Sequence, residues 1–497
     1  MSFPAWDLFL SNSLLIAVVA ILHVFVSHFA IGGGLYLVLA ESWARRRGDA
    51  GQLAYLERYS RFFVLVTLVF GAVSGVGIWI TIGLIHPAGT RWLITNFVWG
   101  WATEWVMFFL EITAAMLYLY GWKRLEPKLH LAIGWVYFVT AWLSLVIING
   151  ILTFMLTPGR WPQTGQFWDG FFNPSFLPAT VFRTCVCLTL AGLYASLTAA
   201  AEPDRALRVR LLRFNGAVIA GSLLLALPAG WWYFRALPPE VAALLRTARV
   251  PVLAVEVMLV SAAALLALAL LGLLVFPARF GRVAAVVLMG LGLAAMGGFE
   301  WAREAIRKPF IINNFLYSNG LLMAEAAQLP AREPLPVAFR TGDRGRDLFL
   351  QTCSSCHSVD GYKGLRGLAA GLDAAHLANI IPRLQHYLEK MPPFPGDGAD
   401  ALALAAFVKA RAAPDPLETR PGLTGAEKAR LVFTRRCGGC HTLSGTRPLA
   451  ESFAGLTEPD AADLLASIGD FTEEMPPFTG SDEERRWLIR FMTGGPK

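Results

Sequence analysis

Two copies of a Cys-x-x-Cys-His motif lie in the last third of the chain and are the clearest carriers of chemistry in the sequence. The motif residues are Cys353, Cys356 and His357 in the first copy, and Cys437, Cys440 and His441 in the second. In c-type haem attachment, the two thiols bond covalently to the haem vinyl groups and the histidine takes one axial position on the iron. For a single copy, a zinc site is the alternative.

A methionine follows each motif at the same distance. Met391 lies 38 residues after Cys353, and Met475 lies 38 residues after Cys437. Both open the tetrapeptide Met-Pro-Pro-Phe, and a phenylalanine precedes the first cysteine of each copy by four residues. Methionine is a common second axial ligand in c-type cytochromes. This internal duplication predicts two haems c, each ligated by histidine and methionine, and argues against zinc.

The rest of the chain has the composition of a membrane protein. It is 55% hydrophobic, with only 16% charged residues and a mean hydropathy of +0.50. Apolar stretches near or above the ~20 residues of a spanning helix occur eight times. They are Ser13–Ala40, Phe62–Ile85, Trp99–Tyr120, Leu131–Leu156, Phe176–Ala199, Phe214–Trp232, Val250–Phe276 and Val283–Ile306. We therefore predict an all-α protein, a helical membrane bundle of about eight spans followed by two tandem cytochrome c-like domains.

The distribution of basic residues predicts the orientation in the membrane. The loops after the odd-numbered spans hold fourteen arginines and lysines, and those after the even-numbered spans hold five. The odd-numbered loops are therefore expected in the cytoplasm. No basic segment precedes the first span, so we expect it to be retained as a span. The prediction is a multi-pass protein of the bacterial cytoplasmic membrane with both termini and both haems c in the periplasm, the side on which haem c is attached. The net charge of +7 gives no indication of nucleic-acid binding.

Composition also predicts the domain boundaries. We expect a transmembrane domain over residues 1–310, a linker over 311–340, a first haem unit over 341–411, a second linker over 412–422 and a second haem unit over 423–497. The two haem units resemble class I c-type cytochromes over about 150 residues.

Ionisable residues inside the predicted spans are candidates for function, because a charge in hydrocarbon is costly unless it is paired, protonated or bound to metal. They are His23 and His28 in span 1, Glu104 and Glu111 in span 3, Glu256 in span 7, and Glu300, Arg303 and Glu304 in span 8. Glu104 and Glu111 are seven residues apart and therefore share one helix face. Together with His23, a natural iron ligand, they suit a haem pocket with a proton route. The alternative is a set of hydrogen-bonded polar pairs between helices. Cys185 and Cys187 in span 5 are interpreted as small apolar fillers.

The eight spans resemble subunit I of the cytochrome bd oxygen reductase superfamily, over roughly residues 5–310. The matching stretches are Leu22-His23, Ile31-Gly32-Gly33, Ala40-Glu41, Phe70-Gly-Ala-Val-Ser-Gly, Phe108-Phe-Leu-Glu111, Tyr120-Gly-Trp-Lys-Arg-Leu, Leu143-Ser-Leu, Asn149-Gly150, Asn173-Pro174 and Arg307-Lys-Pro-Phe. The resemblance places His23 at the family's haem-ligating histidine. It places Met258 at the second ligand of the low-spin haem b, and Glu300 or Glu304 near the ligand of span 8.

The departures from the family are equally informative. Arg183 stands where the family has the span 5 histidine that ligates the low-spin haem b, and arginine does not bind iron. Only about 16 residues, Tyr233–Arg249, link spans 6 and 7, where the family has its long quinol-binding loop. The ninth span is replaced by the haem c units. Glu104 is one residue nearer Glu111 than in the family. We therefore expect that one haem and the quinol site are lost.

Three functions are compatible with the sequence. The first is a bd-like terminal oxidase that passes electrons from a periplasmic cytochrome c or similar donor to O2. In it, His23, Glu104 and Glu111 form the catalytic pocket, and one or more haems b or d bind in the membrane domain. The second is a related gas reductase, for example of nitric oxide. The third is an electron-transfer subunit without a reaction of its own. Further membrane subunits or an oligomer are expected partners.

Overall fold

Eight long helices dominate the computed structural model, which describes residues 12–326, 334–337, 339–387, 391–444, 447–472 and 474–494. Each is long and apolar enough to cross a membrane, which confirms the predicted number of spans for the described residues. Spans 1 to 8 are Leu14–Arg47, Ala50–Ile85, Val98–Gly121, Pro127–Phe154, Phe176–Ala199, Arg205–Arg235, Arg249–Val275 and Arg282–Arg307. Several extend beyond the predicted apolar stretches, because their amphipathic ends continue the helix into the polar boundary.

Span 1 lies against spans 2, 4 and 5, and small residues allow this close packing. A side chain at Gly32 would collide with the backbone carbonyl of Cys187 in span 5. Side chains at Gly33 and Gly34 would meet the rings of Phe63 and Tyr137. The three consecutive glycines thus bring helices within backbone contact, as small residues do in membrane bundles.

Span 2 changes its hydrogen-bonding pattern half-way. The α-helix Ala50–Val64 passes into a π-helical segment, Leu65–Phe70, and continues as the α-helix Gly71–Ile85. Wide turns of this kind occur often at functional sites, since they re-aim the side chains that follow. The residues directly after the π segment face span 1. A second π segment, Ala269–Val275, ends span 7.

Short elements cover the end of the bundle next to the haem units. They are the helices Pro87–Asn96, Trp161–Thr164, Phe167–Phe171 and Pro239–Thr247, and the antiparallel strands Phe310–Ile312 and Leu316–Tyr317. Ile311, Ile312 and Leu316 are buried with Phe154 and Trp161 in one apolar cluster. The first part of the predicted linker is therefore folded structure, because its apolar residues pack onto the bundle.

Each haem unit is a small helical domain with its own core. The first contains Arg344–Leu348, which continues as a π turn over Phe349–Cys353, then Leu365–Leu368, Ala374–Ile380, the 3-10 helix Ile381–His386, and Gly398–Lys409. Pro416–Thr419 lies in the second linker. The second unit contains Gly425–Arg436, Ala450–Phe453, Glu458–Ser467, the 3-10 helix Ile468–Asp470 and Asp482–Thr493. Helix Met323–Ala326 and a three-residue 3-10 turn, Pro277–Arg279, complete the elements.

Candidate functional site

The two histidines of the Cys-x-x-Cys-His motifs are held in the same way. His357 Nδ1 donates to the backbone carbonyl of Lys363 at 2.9 Å, and His441 Nδ1 donates to the carbonyl of Arg447 at 3.1 Å. A hydrogen bond from Nδ1 fixes the tautomer in which Nε2 carries the lone pair, the form that binds metal. Both histidines therefore fit an axial haem ligand.

The residues that orient these histidines adopt an uncommon backbone conformation. Lys363 has φ 51° and Arg447 has φ 46°, in the left-handed region that favours glycine. They occupy equivalent positions, six residues after each histidine. Strain kept at equivalent positions of both units indicates that the carbonyl must point at the imidazole. No simple sequence signal marks these positions, since neither residue is a glycine or an asparagine.

In each unit, the structure relates the segment of the predicted methionine ligand to that of the histidine. Met391 lines the same cavity as Cys353, Cys356 and His357. In the second unit, the guanidinium of Arg447 lies 3.3 Å from the carboxylate of Glu474, the residue before Met475. This ion pair joins the histidine loop to the methionine loop.

The donor set does not fit zinc. Within the described ranges, no three histidine, cysteine, aspartate or glutamate side chains converge as a structural zinc site requires. Burial raises the pKa of Cys353 to about 11 and that of Cys437 to about 12, whereas Lys308 and Ser318 outweigh burial at Cys356 and lower the pKa of its thiol. The thiols and histidines instead suit covalent haem.

A cavity of about 2040 Å³ runs from the middle of the bundle to the first haem unit. It is larger than the ~300–1,000 Å³ of a typical single-ligand pocket. His23, Glu104 and Glu111 line it inside the bundle, Cys353 and Cys356 line it in the first haem unit, and Gly438 and Gly439 of the second unit also belong to its wall. The predicted catalytic residues thus line one cavity, which also reaches a haem c attachment site; their catalytic roles stay a prediction.

His23 is oriented by span 2. The hydroxyl of Ser74 donates to the carbonyl of Phe70 at 2.5 Å, so its oxygen is free to accept from His23 Nδ1 at 3.1 Å. A side chain at Gly75 would come within 3.2 Å of the imidazole, so glycine leaves room for the ring. The Nε2 nitrogen of His23 then carries the lone pair. This arrangement fits iron ligation from the bundle interior.

Glu104 and Glu111 are both hydrogen-bonded from span 4. Ser144 donates to Glu104 at 2.9 Å, and Tyr137 donates to Glu111 at 3.1 Å. Both carboxyl groups line the cavity, on one face of span 3, as their spacing predicted. With one anchoring hydrogen bond each, they retain oxygens that can hold or pass a proton.

Comparison with known families agrees with this geometry. Residues 12–237 match the family model of cytochrome bd terminal oxidase subunit I, and residues 340–408 and 425–492 match that of cytochrome c oxidase, cbb3-type, subunit III. The N-terminal region is a cytochrome bd subunit I domain, followed by cytochrome c domains. The solved structure of bd oxidase from Geobacillus thermodenitrificans shares the fold, at 17% identity and a TM-score of 0.55. That match covers 62% of this chain and 90% of the bd oxidase chain. No curated protein sequence matches the chain.

Arg183 of the bd domain lies inside a buried polar network. Its guanidinium contacts Glu300 Oε1 at 2.9 Å and His28 Nε2 at 3.3 Å, while Arg303 contacts the second oxygen of Glu300 at 2.9 Å. Both Glu300 oxygens are therefore occupied. Iron ligation by Glu300 stays a prediction, and each of its oxygens already accepts a hydrogen bond from an arginine. Glu304, the alternative, is paired with Arg307 at 2.6 Å.

Met258 is not placed with these residues. It is half-buried on span 7, and its backbone lies against Gly298, where a side chain would come within 2.8 Å of the Met258 nitrogen. Its neighbour Val257 lines the cavity of the bd domain, whereas Met258 is absent from the described part of the wall. Its role as a haem ligand stays a prediction.

Two histidines of the bd domain were missed by the sequence analysis. His130 in span 4 is fully buried, with Nδ1 bonded to Glu41 at 2.9 Å and Nε2 to the carbonyl of Tyr118 at 2.9 Å. His86 follows the last residue of span 2 and lines the cavity. A single histidine near the end of an apolar stretch carries no motif, so only the structure reveals its surroundings.

The cytochrome c domains are stacked in series on the bd domain. The hydroxyl of Ser318, which follows the strand pair, lies 3.7 Å from Cys356 Sγ, and Asn319 Nδ2 donates to the carbonyl of Pro393 at 3.2 Å. The second unit packs on the first, where a side chain at Gly439 would meet the ring of Tyr387. The haem attachment loop of unit 1 thus touches the bd domain, and that of unit 2 touches unit 1.

Proposed function

We propose that this chain is a respiratory membrane oxidoreductase that takes electrons from a periplasmic cytochrome c-type donor and reduces O2 to water in its bd domain. The observation that carries the proposal is the continuous cavity from His23, Glu104 and Glu111 to Cys353 and Cys356. Haem bound at these places supplies one-electron transfer and O2 activation. The residues of the chain position that chemistry and handle protons.

The stacking of the domains supports one order of electron transfer. Unit 2 is joined to unit 1 by Arg436, whose guanidinium lies 3.0 Å from Asp373, and by Arg435, which donates to the carbonyl of Gly371. Unit 1 is joined to the bd domain through Ser318 and Asn319. Electrons would enter at unit 2, pass to unit 1 and then reach the membrane pocket.

Protons are needed in the same number as electrons, because each O2 becomes two water molecules. Glu111 lies between Tyr137 and the cavity, and Glu104 lies two turns further along the same helix face. Carboxyl groups in this position can take a proton from the cytoplasmic half of the bundle and hold it beside the pocket. We assign Glu104 and Glu111 to this relay, with His23 as the iron ligand.

The link between spans 6 and 7 supports a protein donor instead of a quinol. The chain between Arg235 and Arg249 is short, and most of it forms the helix Pro239–Thr247. Val241 of that helix is buried against Leu156 and Ile306. This segment is packed structure, with no long loop to enclose a quinol ring.

A further membrane subunit, or a second copy, is expected on the face of span 7. Glu256 is exposed there, two turns after the start of the span, among exposed Leu253, Leu259 and Val260. A carboxylate facing lipid is costly, so a partner that covers it is favoured.

An electron-transfer subunit without its own reaction is the second candidate. The replacement of a histidine by Arg183 favours it, because arginine does not bind iron and the number of haem ligands is reduced. The haem content of the purified chain distinguishes the two. A protein with only covalent haem c has no site for O2 reduction.

The decisive experiment is His23→Ala, with non-covalent haem measured against covalent haem c by pyridine haemochrome spectra. We expect loss of one non-covalent haem and of O2 reduction, with both haems c retained and reducible. His28→Ala is the matched control on the same helix, because His28 already bonds to Arg183. If His28→Ala removes the haem and His23→Ala does not, the ligand assignment is wrong.

A further inference from the structure

His86 is a half-buried histidine that none of the roles above uses. It lies between the end of span 2 at Ile85 and the short helix that begins at Pro87. Its ring lines the cavity, and its Nδ1 atom is buried without a hydrogen bond of good geometry. The backbone of Ser318 lies beside the ring. His86 thus faces the space between the membrane pocket and the first haem unit.

The buried Nδ1 atom of His86, which lacks a hydrogen bond of good geometry, needs a structural explanation. A buried polar atom without a partner costs about 1–3 kcal/mol, and such atoms in native proteins often mark a metal or catalytic site. Burial, together with Lys308 and Arg307, lowers the pKa of His86 to about 3. The ring is therefore neutral at physiological pH and has a lone pair, which is the form that binds metal.

The surroundings of His86 connect it with haem c of unit 1. The Lys308 ammonium is close enough to act on both His86 and Cys356. Ser318 touches Cys356 with its side chain and lies beside His86 with its backbone. Lys308 Nζ makes no hydrogen bond within the described residues and lies 3.4 Å from Glu304. A cationic side chain between His86 and Cys356 can form an ion pair with a propionate carboxylate of a haem.

His86 is separate from the His23 pocket. Gly75 contacts His23, and His86 follows Gly75 by eleven residues on the same span. At a rise of 1.5 Å per residue, the two places lie about 16 Å apart along the helix. Both axial ligands of one iron must lie within a few ångströms of it, so two histidines about 16 Å apart cannot ligate the same haem, and His86 marks a second position in the cavity.

We propose that His86 is an axial ligand of a non-covalent haem in the bd domain, placed between haem c of unit 1 and the His23 pocket. The inference rests on the proposed function and adds an electron-accepting haem to it. The histidine of this haem comes from the end of span 2. In span 5, Arg183 stands where the resemblance to the family places a haem-ligating histidine. Lys308, whose Nζ makes no hydrogen bond within the described residues, would pair with one of the haem's propionates.

The test is the ratio of non-covalent haem to haem c in the full chain carrying His86→Ala. Covalent haem c serves as an internal standard for folded protein. We expect a loss of one non-covalent haem per chain, and His23→Ala should remove a different one. His130→Ala is the control, since both ring nitrogens of His130 are already bonded within the protein. It should leave the ratio unchanged in whatever protein accumulates.

Two further variants keep the test decisive. His86→Gly should regain the missing haem when imidazole is added, and His86→Met should keep a haem with an altered low-spin electron paramagnetic resonance signal. An unchanged haem ratio in His86→Ala, or an equal loss in His130→Ala, would overturn the assignment. A wild-type chain without non-covalent haem would instead refute the proposed function itself.

Discussion

Arg183 Nη2 lies 2.9 Å from Glu300 Oε1, and this buried ion pair joins spans 5 and 8 in the interior of the bd domain. Both side chains are less than one-tenth exposed. Breaking a buried pair leaves an uncompensated charge, at a cost of about 3–5 kcal/mol. The arginine that replaces an expected haem ligand therefore has a structural partner of its own.

Arg183→Leu should lower the thermal stability of the bd domain. We expect a loss toward the lower end of about 3–5 kcal/mol, because Arg303 still pairs with Glu300. Thermal unfolding in detergent, followed by circular dichroism, measures it. Arg58→Ala is the control, since its pair with Glu202 is half exposed and should contribute at most about 1 kcal/mol. Equal effects of the two variants would show that the Arg183 pair is not important for stability.

Met391→Ala and Met475→Ala should each affect one haem c. The sulfur-to-iron charge-transfer band at the red end of the visible spectrum should fall to half in either variant and vanish in the double variant. Loss of the sulfur ligand should also lower the reduction potential of the affected haem. Met492→Ala, a buried methionine in the core of unit 2, is the control. A full band in both single variants would mean that other residues complete the iron coordination.

Quinol should not support turnover. The segment between spans 6 and 7 is a short packed helix, Pro239–Thr247, and not a long loop that could enclose a quinol ring. Oxygen uptake by the purified chain should follow addition of reduced cytochrome c, and a soluble quinol should give only the background rate. Rapid oxidation of a soluble quinol by a sample in which the haems c are not reduced would contradict the proposed donor.

Acid should weaken the contact between the two cytochrome c domains. Burial raises the pKa of Asp373, but hydrogen bonds from the His376 backbone and Arg436 outweigh it, and the net pKa is lowered. A lowered folded pKa means that the stabilisation is complete above the ordinary aspartate value of about 3.9 and is lost as the pH falls through the folded value. Because Asp373 is 39% exposed, we expect a modest effect.

Electron transfer between the two haems c, measured by stopped-flow absorbance, should therefore slow only below pH ~4. Asp373→Asn should produce part of this slowing at neutral pH. Asp360→Asn is the control, since Asp360 pairs with Arg366 on the surface of unit 1 alone. Transfer that is insensitive to acid and to Asp373→Asn would show that the Arg436 contact does not set the distance between the haems.

The sequence by itself determined the features that depend on residues close together along the chain. Covalent haem attachment needs two thiols and a histidine within five positions, so the motif from Cys353 to His357 predicts it directly. A spanning helix satisfies its own backbone, so a long apolar run predicts it without knowledge of its neighbours. The shared face of Glu104 and Glu111 follows from the helical repeat.

Only the tertiary structure decided which of these residues meet. Ser74 lies 51 positions from His23, and Glu300 lies 117 positions from Arg183, yet each pair is in direct contact. His86 becomes informative only when the fold places it beside Ser318 and Lys308. Hydrogen bonds and ion pairs act over a few ångströms in space, and helix packing sets those distances. Spacing along the chain therefore leaves the partner of a lone histidine or arginine undetermined.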